Sequence, residues 1–193
     1  MPATPSVLVA NLGFPRIGPR RQLKTALERF WSGRLDQAGL LQTAADLRRE
    51  GWTRQAELGV DILPSNDFSL YDQVLDATLM VGAVPPRFTG AQGLALYFAM
   101  ARGARSGEQE TGCCGQDATA CEMTKWFDTN YHYLAPELAA GQTFALGSTK
   151  PVDEFLEARA QGRHTRPVLI GPVTWLKLAK ARDGSDPRDL LDA

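Results

Sequence analysis

The sequence repeats one local grammar: a short apolar run, a loop punctuated by Gly, Pro, Asn or Asp, then a segment with helical apolar spacing. "VLVANLG" (7–13) has the pattern of a buried parallel strand and leads through "FPRIGPRRQ" into a helix over 21–31. There Leu23, Ala26, Leu27, Phe30 and Trp31 fall in period, with Gly33 as the stop. A second helix over 36–58 places Leu40, Leu41, Ala44, Leu47 and Trp52 on one side. The grammar then returns. An apolar strand over 60–63 enters the polar loop "PSNDFSLYD", followed by a helix with Tyr71, Val74, Leu75, Thr78 and Leu79 in period. "GLALYFAMARG" reads as a helix, "TFALG" (143–147) as a third strand and "VDEFLEARAQG" as its helix. "RPVLIGPVTWLKLAK" reads as a fourth strand, a Gly-Pro turn and a helix start.

Strand, polar loop and helix in alternation predict an α/β protein with a parallel sheet. Polar residues fall just past the strand ends, where a (β/α)8 barrel of the TIM type carries its sites. A doubly wound sheet is the alternative, but "GFPRIG" lacks the dinucleotide fingerprint. About four strands are recognisable where a closed barrel has eight. The expectation is a partial (β/α)8 barrel, and 193 residues that form the front part of a larger protein.

Composition excludes several function classes. A formal net charge of −1 does not suit a general nucleic-acid binder, which needs a basic surface. No apolar run has the length of a membrane span, and the N-terminus lacks the basic and apolar regions of a signal peptide. Three cysteines, two of them adjacent, are a poor disulfide framework, so the cytoplasm is the expected compartment.

Four stretches are chemically suggestive. In "GFPRIGPRRQLK", Arg16, Arg20, Arg21 and Lys24 cluster at a helix start, where free N–H groups favour anions and Arg can grip a carboxylate bidentately. A solvated helix start with scattered charge is the other reading, since cations there oppose the helix dipole. In "PSNDFSLYD", Ser65, Asn66, Asp67 and Ser69 suit helix capping, with a ligand role open for one of them. "EMTKWFDTNYHY" (122–133) crowds four rings, Lys125 and Asn130 together with neither helical nor strand period. Lys125 suits a carboxylate, Asn130 a heterocycle and Trp126 stacking; otherwise this is an aromatic loop with Tyr131 and Tyr133 bonded to backbone. His132 and His164 are far apart, which leaves a His-based triad unsupported. Cys113, Cys114 and Cys121 lack the paired spacing of structural zinc sites, so "TGCCGQDATAC" reads as a Gly-rich loop.

"GFPRIGPRRQLKTALERFWSG", "ILPSNDFSLYDQVLDATLMVGAVPPRF", "EMTKWFDTNYHYLAPEL" and "RPVLIGPVTWLKLAK" together resemble the N-terminal domain of cobalamin-independent methionine synthase, in one colinear order along nearly the whole chain. The resemblance implies two face-to-face barrels and transfer of a methyl group from 5-methyltetrahydropteroyltriglutamate to homocysteine, forming methionine without cobalamin. It implies that residues 1–193 are about the first half of the N-terminal barrel. The C-terminal barrel, with zinc and the homocysteine site, is expected to lie outside this chain, so no metal ligand and no catalytic residue is expected here. A metal-bound thiol is deprotonated, which suits homocysteine to nucleophilic attack. Carried over residue by residue, the family's folate and polyglutamate contacts fall on Arg20, Arg21, Gln22, Leu23, Lys24, Lys125 and Asn130. "SGEQETGCCGQDATAC" departs from the family pattern and predicts an insertion loop over 105–120. The chain alone is expected to be inactive; a non-catalytic folate-binding or interaction module from a truncated gene is the alternative.

Overall fold

The computed structural model describes residues 7–105 and 117–192. Two compact units divide the chain, one of Met1–Leu70 with Lys150–Leu169 and one of Tyr71–Thr149 with Ile170–Ala193.

In the first unit, helix α1 (Gln22–Trp31) buries Leu23, Ala26, Leu27 and Phe30 of the predicted stripe, while Trp31, its last residue, is only partly buried. Helix α2 (Gln37–Glu57) begins where the Asp36 side chain accepts the Gly39 N–H at 2.8 Å. It buries Leu40, Ala44 and Trp52, but Leu41 is exposed. Strand β1 (Leu63–Ser65) pairs in parallel with β5 (Thr165–Pro167), Leu63 opposite Thr165, and helix α5 (Lys150–Ala160) precedes β5. Trp52, Leu63 and Ala158 make a small core, and the Trp52 indole N–H donates to the Pro64 carbonyl at 2.8 Å. The second strand therefore starts later than the expected 60–63, although Ile62 already bridges Ala10 in parallel.

The run 7–13 is a correction. Instead of a buried strand it forms that single bridge, with Val7 90% and Leu12 70% exposed. A parallel strand is buried when both faces are covered. Among the described residues its backbone bonds run from Val9 to residues 61 and 62, and the Asn11 side chain donates to the Gln55 side-chain oxygen at 2.9 Å, so one edge is held and the faces stay open.

In the second unit, α3 (Gln73–Met80) buries Val74, Leu75 and Thr78. A 3-10 turn (Pro86–Phe88) and α4 (Gly93–Arg102) follow. Strands β2 (Met123–Lys125) and β3 (His132–Leu134) form an antiparallel hairpin. Strand β4 (Glu137–Leu138) pairs in parallel with β6 (Lys180–Ala181), which follows α6 (Pro172–Leu178). Val74, Tyr133, Leu138, Trp175, Leu176 and Leu178 anchor the core.

Two sequence expectations fail in this unit. "TFALG" is not a strand: its Ala145 and Gly147 N–H groups donate to the Val81 and Met80 carbonyls at 3.1 and 2.9 Å. The end of a helix leaves carbonyls unsatisfied, and this segment supplies their donors instead of joining a sheet. Gly147 permits the approach, because a Cβ there would overlap the Leu79 carbonyl oxygen. The segment 122–133 was expected to lack strand structure, yet it supplies β2 and most of β3. Antiparallel pairing across the 126–131 loop needs no alternating apolar pattern when Met123 and Lys125 of β2 are exposed and Thr124 is only partly buried.

Parallel pairs and helices alternate along the chain, so the fold is α/β. Among the described residues the strands form two-stranded sheets and no closed barrel, the architecture of a partial (β/α)8 barrel. Residues 106–116 of the expected insertion, with Cys113 and Cys114, lie outside the described residues; Ala104 and Ala118 on either side form an antiparallel bridge.

Candidate functional site

The first unit holds the basic stretch. Gly18 has φ +80°, a left-handed turn that L side chains rarely adopt, and the Arg21 N–H donates to its carbonyl at 2.9 Å. Arg21 follows with φ 59° as the residue before α1, offering no side-chain cap. Gln22 accepts the Arg20 N–H on its side-chain oxygen at 2.9 Å. The side chains of Arg20, Arg21 and Lys24 are exposed, and Lys24 pairs with Glu28 at 3.5 Å. The Leu23 side chain is 1% exposed and belongs to the core.

The loop leading there is fixed by residues after β1. Asp67 accepts the Phe14 N–H at 2.8 Å, and Arg16 donates to the Ser69 carbonyl. The Phe14 ring lies over Gly51, where a Cβ would come within 3.3 Å of it. Burial pushes the Asp67 carboxyl up, against the lowering effect of the Phe14 N–H and the Lys150 charge. Asn66, at φ 59°, donates its side-chain amide to the Val168 carbonyl and accepts from Lys150, at 2.8 and 2.9 Å. Its N–H donates to buried Glu154 at 2.9 Å. Ser65, Asn66, Asp67 and Ser69 do not cap α3, contrary to the capping reading. The helix begins at Gln73, too far along for any of them, and Asp72 is its cap.

The second unit holds Lys125 and Asn130, both exposed and both on the β2–β3 hairpin. Lys125 stands opposite His132 in register. At the tip, Trp126 donates its N–H to the Tyr131 carbonyl at 2.7 Å, and Phe127 takes φ 49°. The Trp126 ring makes edge contacts with Phe127, Tyr131 and Tyr133, centroids 5.5, 6.3 and 5.9 Å away. Tyr133 donates to the Leu178 carbonyl at 2.9 Å, a backbone partner as expected. Tyr131 instead donates to the Asp72 carboxylate at 3.0 Å. Asp72 also accepts the Leu75 and Leu134 N–H groups, at 2.9 and 3.2 Å. Burial raises the Asp72 carboxyl, and these donors work against that rise.

Sequence reading passed over Asp72. The signal was present: an aspartate immediately ahead of the Val74, Leu75 and Thr78 period is a cap by rule.

A further cluster lies in the second unit. Arg87 grips Glu137 bidentately, at 2.5 and 2.8 Å, while Arg182 pairs with the same carboxylate. Arg87 also donates to the Thr119 carbonyl at 2.9 Å and lies 3.7 Å from the buried Cys121 sulfur. Burial, aided by the Glu137 charge, pushes the Cys121 thiol up to about 11. Among the described residues no group of three His, Cys, Asp or Glu could hold a metal, and no helix is long and apolar enough to cross a membrane.

Residues 8–193 match the family described as cobalamin-independent synthase, N-terminal domain. The chain belongs to this family. Similar proteins include the 5-methyltetrahydropteroyltriglutamate–homocysteine methyltransferase of Caulobacter vibrioides, 60% identical over 97% of this chain and 26% of the relative. Those of Bradyrhizobium diazoefficiens and Nitrobacter winogradskyi are 56% and 54% identical, over 97% and 95% of this chain and 25% of each relative. This synthase-family chain thus spans about a quarter of the length of the curated relatives it matches. Of the seven residues expected to contact folate in such a synthase domain, Arg20 to Lys24 lie in the first unit. Lys125 and Asn130 share one hairpin of the second.

Proposed function

We propose that this chain supplies folate and polyglutamate contacts to a methyltransferase that moves the methyl group of 5-methyltetrahydropteroyltriglutamate to homocysteine, forming methionine. The observation that carries the reading is identity of 54–60% along nearly the whole chain to relatives whose names state that substrate pair. Residues 1–193 then belong to the N-terminal barrel of a two-barrel cytoplasmic enzyme. Homocysteine and zinc are held by the second barrel; the described residues of this chain do not fit a zinc site, and cobalamin takes no part.

Exposed Arg20, Arg21 and Lys24 are suited to the tail carboxylates, each contact a charge-assisted hydrogen bond. Lys125 can take a further carboxylate, and the Asn130 amide can both donate to and accept from a pterin edge. The test compares folates of different tail length in a full-length enzyme carrying this domain. Lys24→Ala and Lys125→Ala should each raise KM for the triglutamate by about tenfold, the loss of one charge-assisted contact, and raise KM for the monoglutamate much less. Equal weakening of both substrates would rule out the tail role.

A further inference from the structure

The hairpin that presents Lys125 and Asn130 is a poor platform by itself. Its strands pair over three residues each, and a two-stranded hairpin of that size is at best marginally stable in water. Its tip, residues 127–132, is exposed. Asp72 meets this hairpin twice. One carboxylate oxygen accepts the Tyr131 hydroxyl at 3.0 Å, just before β3, and the other accepts the N–H of Leu134, the last residue of β3, at 3.2 Å. One bond lets a strand pivot. Two bonds bracketing a three-residue strand fix its direction as well.

The aspartate is itself held in place. The buried Tyr97 hydroxyl accepts the N–H groups of Tyr71 and Asp72, at 2.9 and 3.2 Å. Capping α3 does not explain this arrangement, because one acceptor satisfies a cap and Ser or Thr provides it. Asp72 is 2% exposed, and a buried carboxylate is unfavourable unless its lone pairs are satisfied. Here the Leu75 bond serves the cap, while the Tyr131 and Leu134 bonds go to the hairpin, which a cap does not need.

We propose that Asp72 is a positioning residue which, through Tyr131 and Leu134, sets the hairpin that presents Lys125 and Asn130. What the hairpin presents rests on the folate reading above; the anchoring does not. Tyr131→Phe removes one anchor and keeps the ring and the cap. Asp72→Ser keeps a cap for α3 but is too short to reach β3.

The first measurement is amide hydrogen exchange, segment by segment, on the 193-residue chain. In both variants, exchange across 125–133 should quicken by about tenfold, as expected for losing a bond of ordinary net strength, while 75–80 keeps the parent rate. Unchanged hairpin exchange in Tyr131→Phe overturns the proposal, whether or not Asp72→Ser folds. So does equal fraying of α3 and hairpin in Asp72→Ser, which marks the residue as a cap alone. The second measurement is affinity for 5-methyltetrahydropteroyltriglutamate in a full-length enzyme carrying this domain, as the parent, Tyr131→Phe, Lys125→Ala and the double variant. If Tyr131 acts through the hairpin, its effect should shrink in the Lys125→Ala background; full additivity overturns that route. A released hairpin together with an unchanged triglutamate affinity in both Tyr131→Phe and Lys125→Ala supports the anchor and sinks the folate reading of the hairpin.

Discussion

At the residue scale, the strongest electrostatic commitment is Glu137. Its side chain is 5% exposed, and burial alone would raise its carboxyl. The Arg87 and Arg182 guanidiniums outweigh that and hold it below its ordinary value of 4.5. A carboxyl lowered in the folded state adds stability that is fully present above 4.5 and is lost as pH falls through the folded value. Glu137→Gln should therefore destabilise the chain by about 2–3 kcal/mol near neutrality, since it leaves the Arg87 charge half-buried without its partner. Urea titrations of parent and variant should converge as pH falls well below 4.5 and the carboxyl takes up its proton. A gap that persists there would assign the loss to shape instead of charge. Such a group is hard to find in sequence. Nothing local marks Glu137, because its partners stand 50 and 45 positions away. Asp72 differs, since its cap position is visible in the chain while its hold on Tyr131 is not.

At the element scale, legibility followed period. Helices α1 and α2 were readable because an apolar stripe at helical spacing fits little except a helix with one buried face. Asp36 and Gly33 marked their boundaries by rules that depend only on neighbours in the chain. The strands were harder, for an apolar run of four or five residues carries no period of its own. "TFALG" shows the ambiguity: Phe144 is apolar because its ring meets Trp175 at 5.8 Å, whereas its neighbours' N–H groups serve the end of α3. That docking gives a prediction. In Gly147→Ala the added methyl must displace the Leu79 carbonyl and also approaches the Gly82 Cα at 3.1 Å. Overpacking against backbone should cost about 1–3 kcal/mol, read as a lowered urea midpoint with unchanged slope. A neutral substitution would mean that 143–147 does not dock on α3 in solution.

At the scale of the whole molecule, the alternation of strand, loop and helix announced an α/β chain with parallel pairing, and the structure has it in both units. The candidate site was less legible. Lys125 and Asn130 stood out only as polar groups among rings; the role proposed for them came from resemblance, and the Asp72 bonds to their hairpin were hidden because Asp72 lies more than fifty residues earlier. The apolarity of residues 7–12 fits a strand covered on both faces, though only one edge is paired among the described residues. Cys121 has a different consequence. A thiol with a pKa near 11, enclosed beside Arg87, presents almost no thiolate to solvent. It is a built-in stopwatch for unfolding. In a Cys113→Ser, Cys114→Ser background, a maleimide added to native protein should label Cys121 only as fast as the chain opens, with a rate that climbs with urea in step with global unfolding. Labelling at the speed of a free thiol would instead reveal that residues 117–121 lift away from Arg87 while the remainder stays folded.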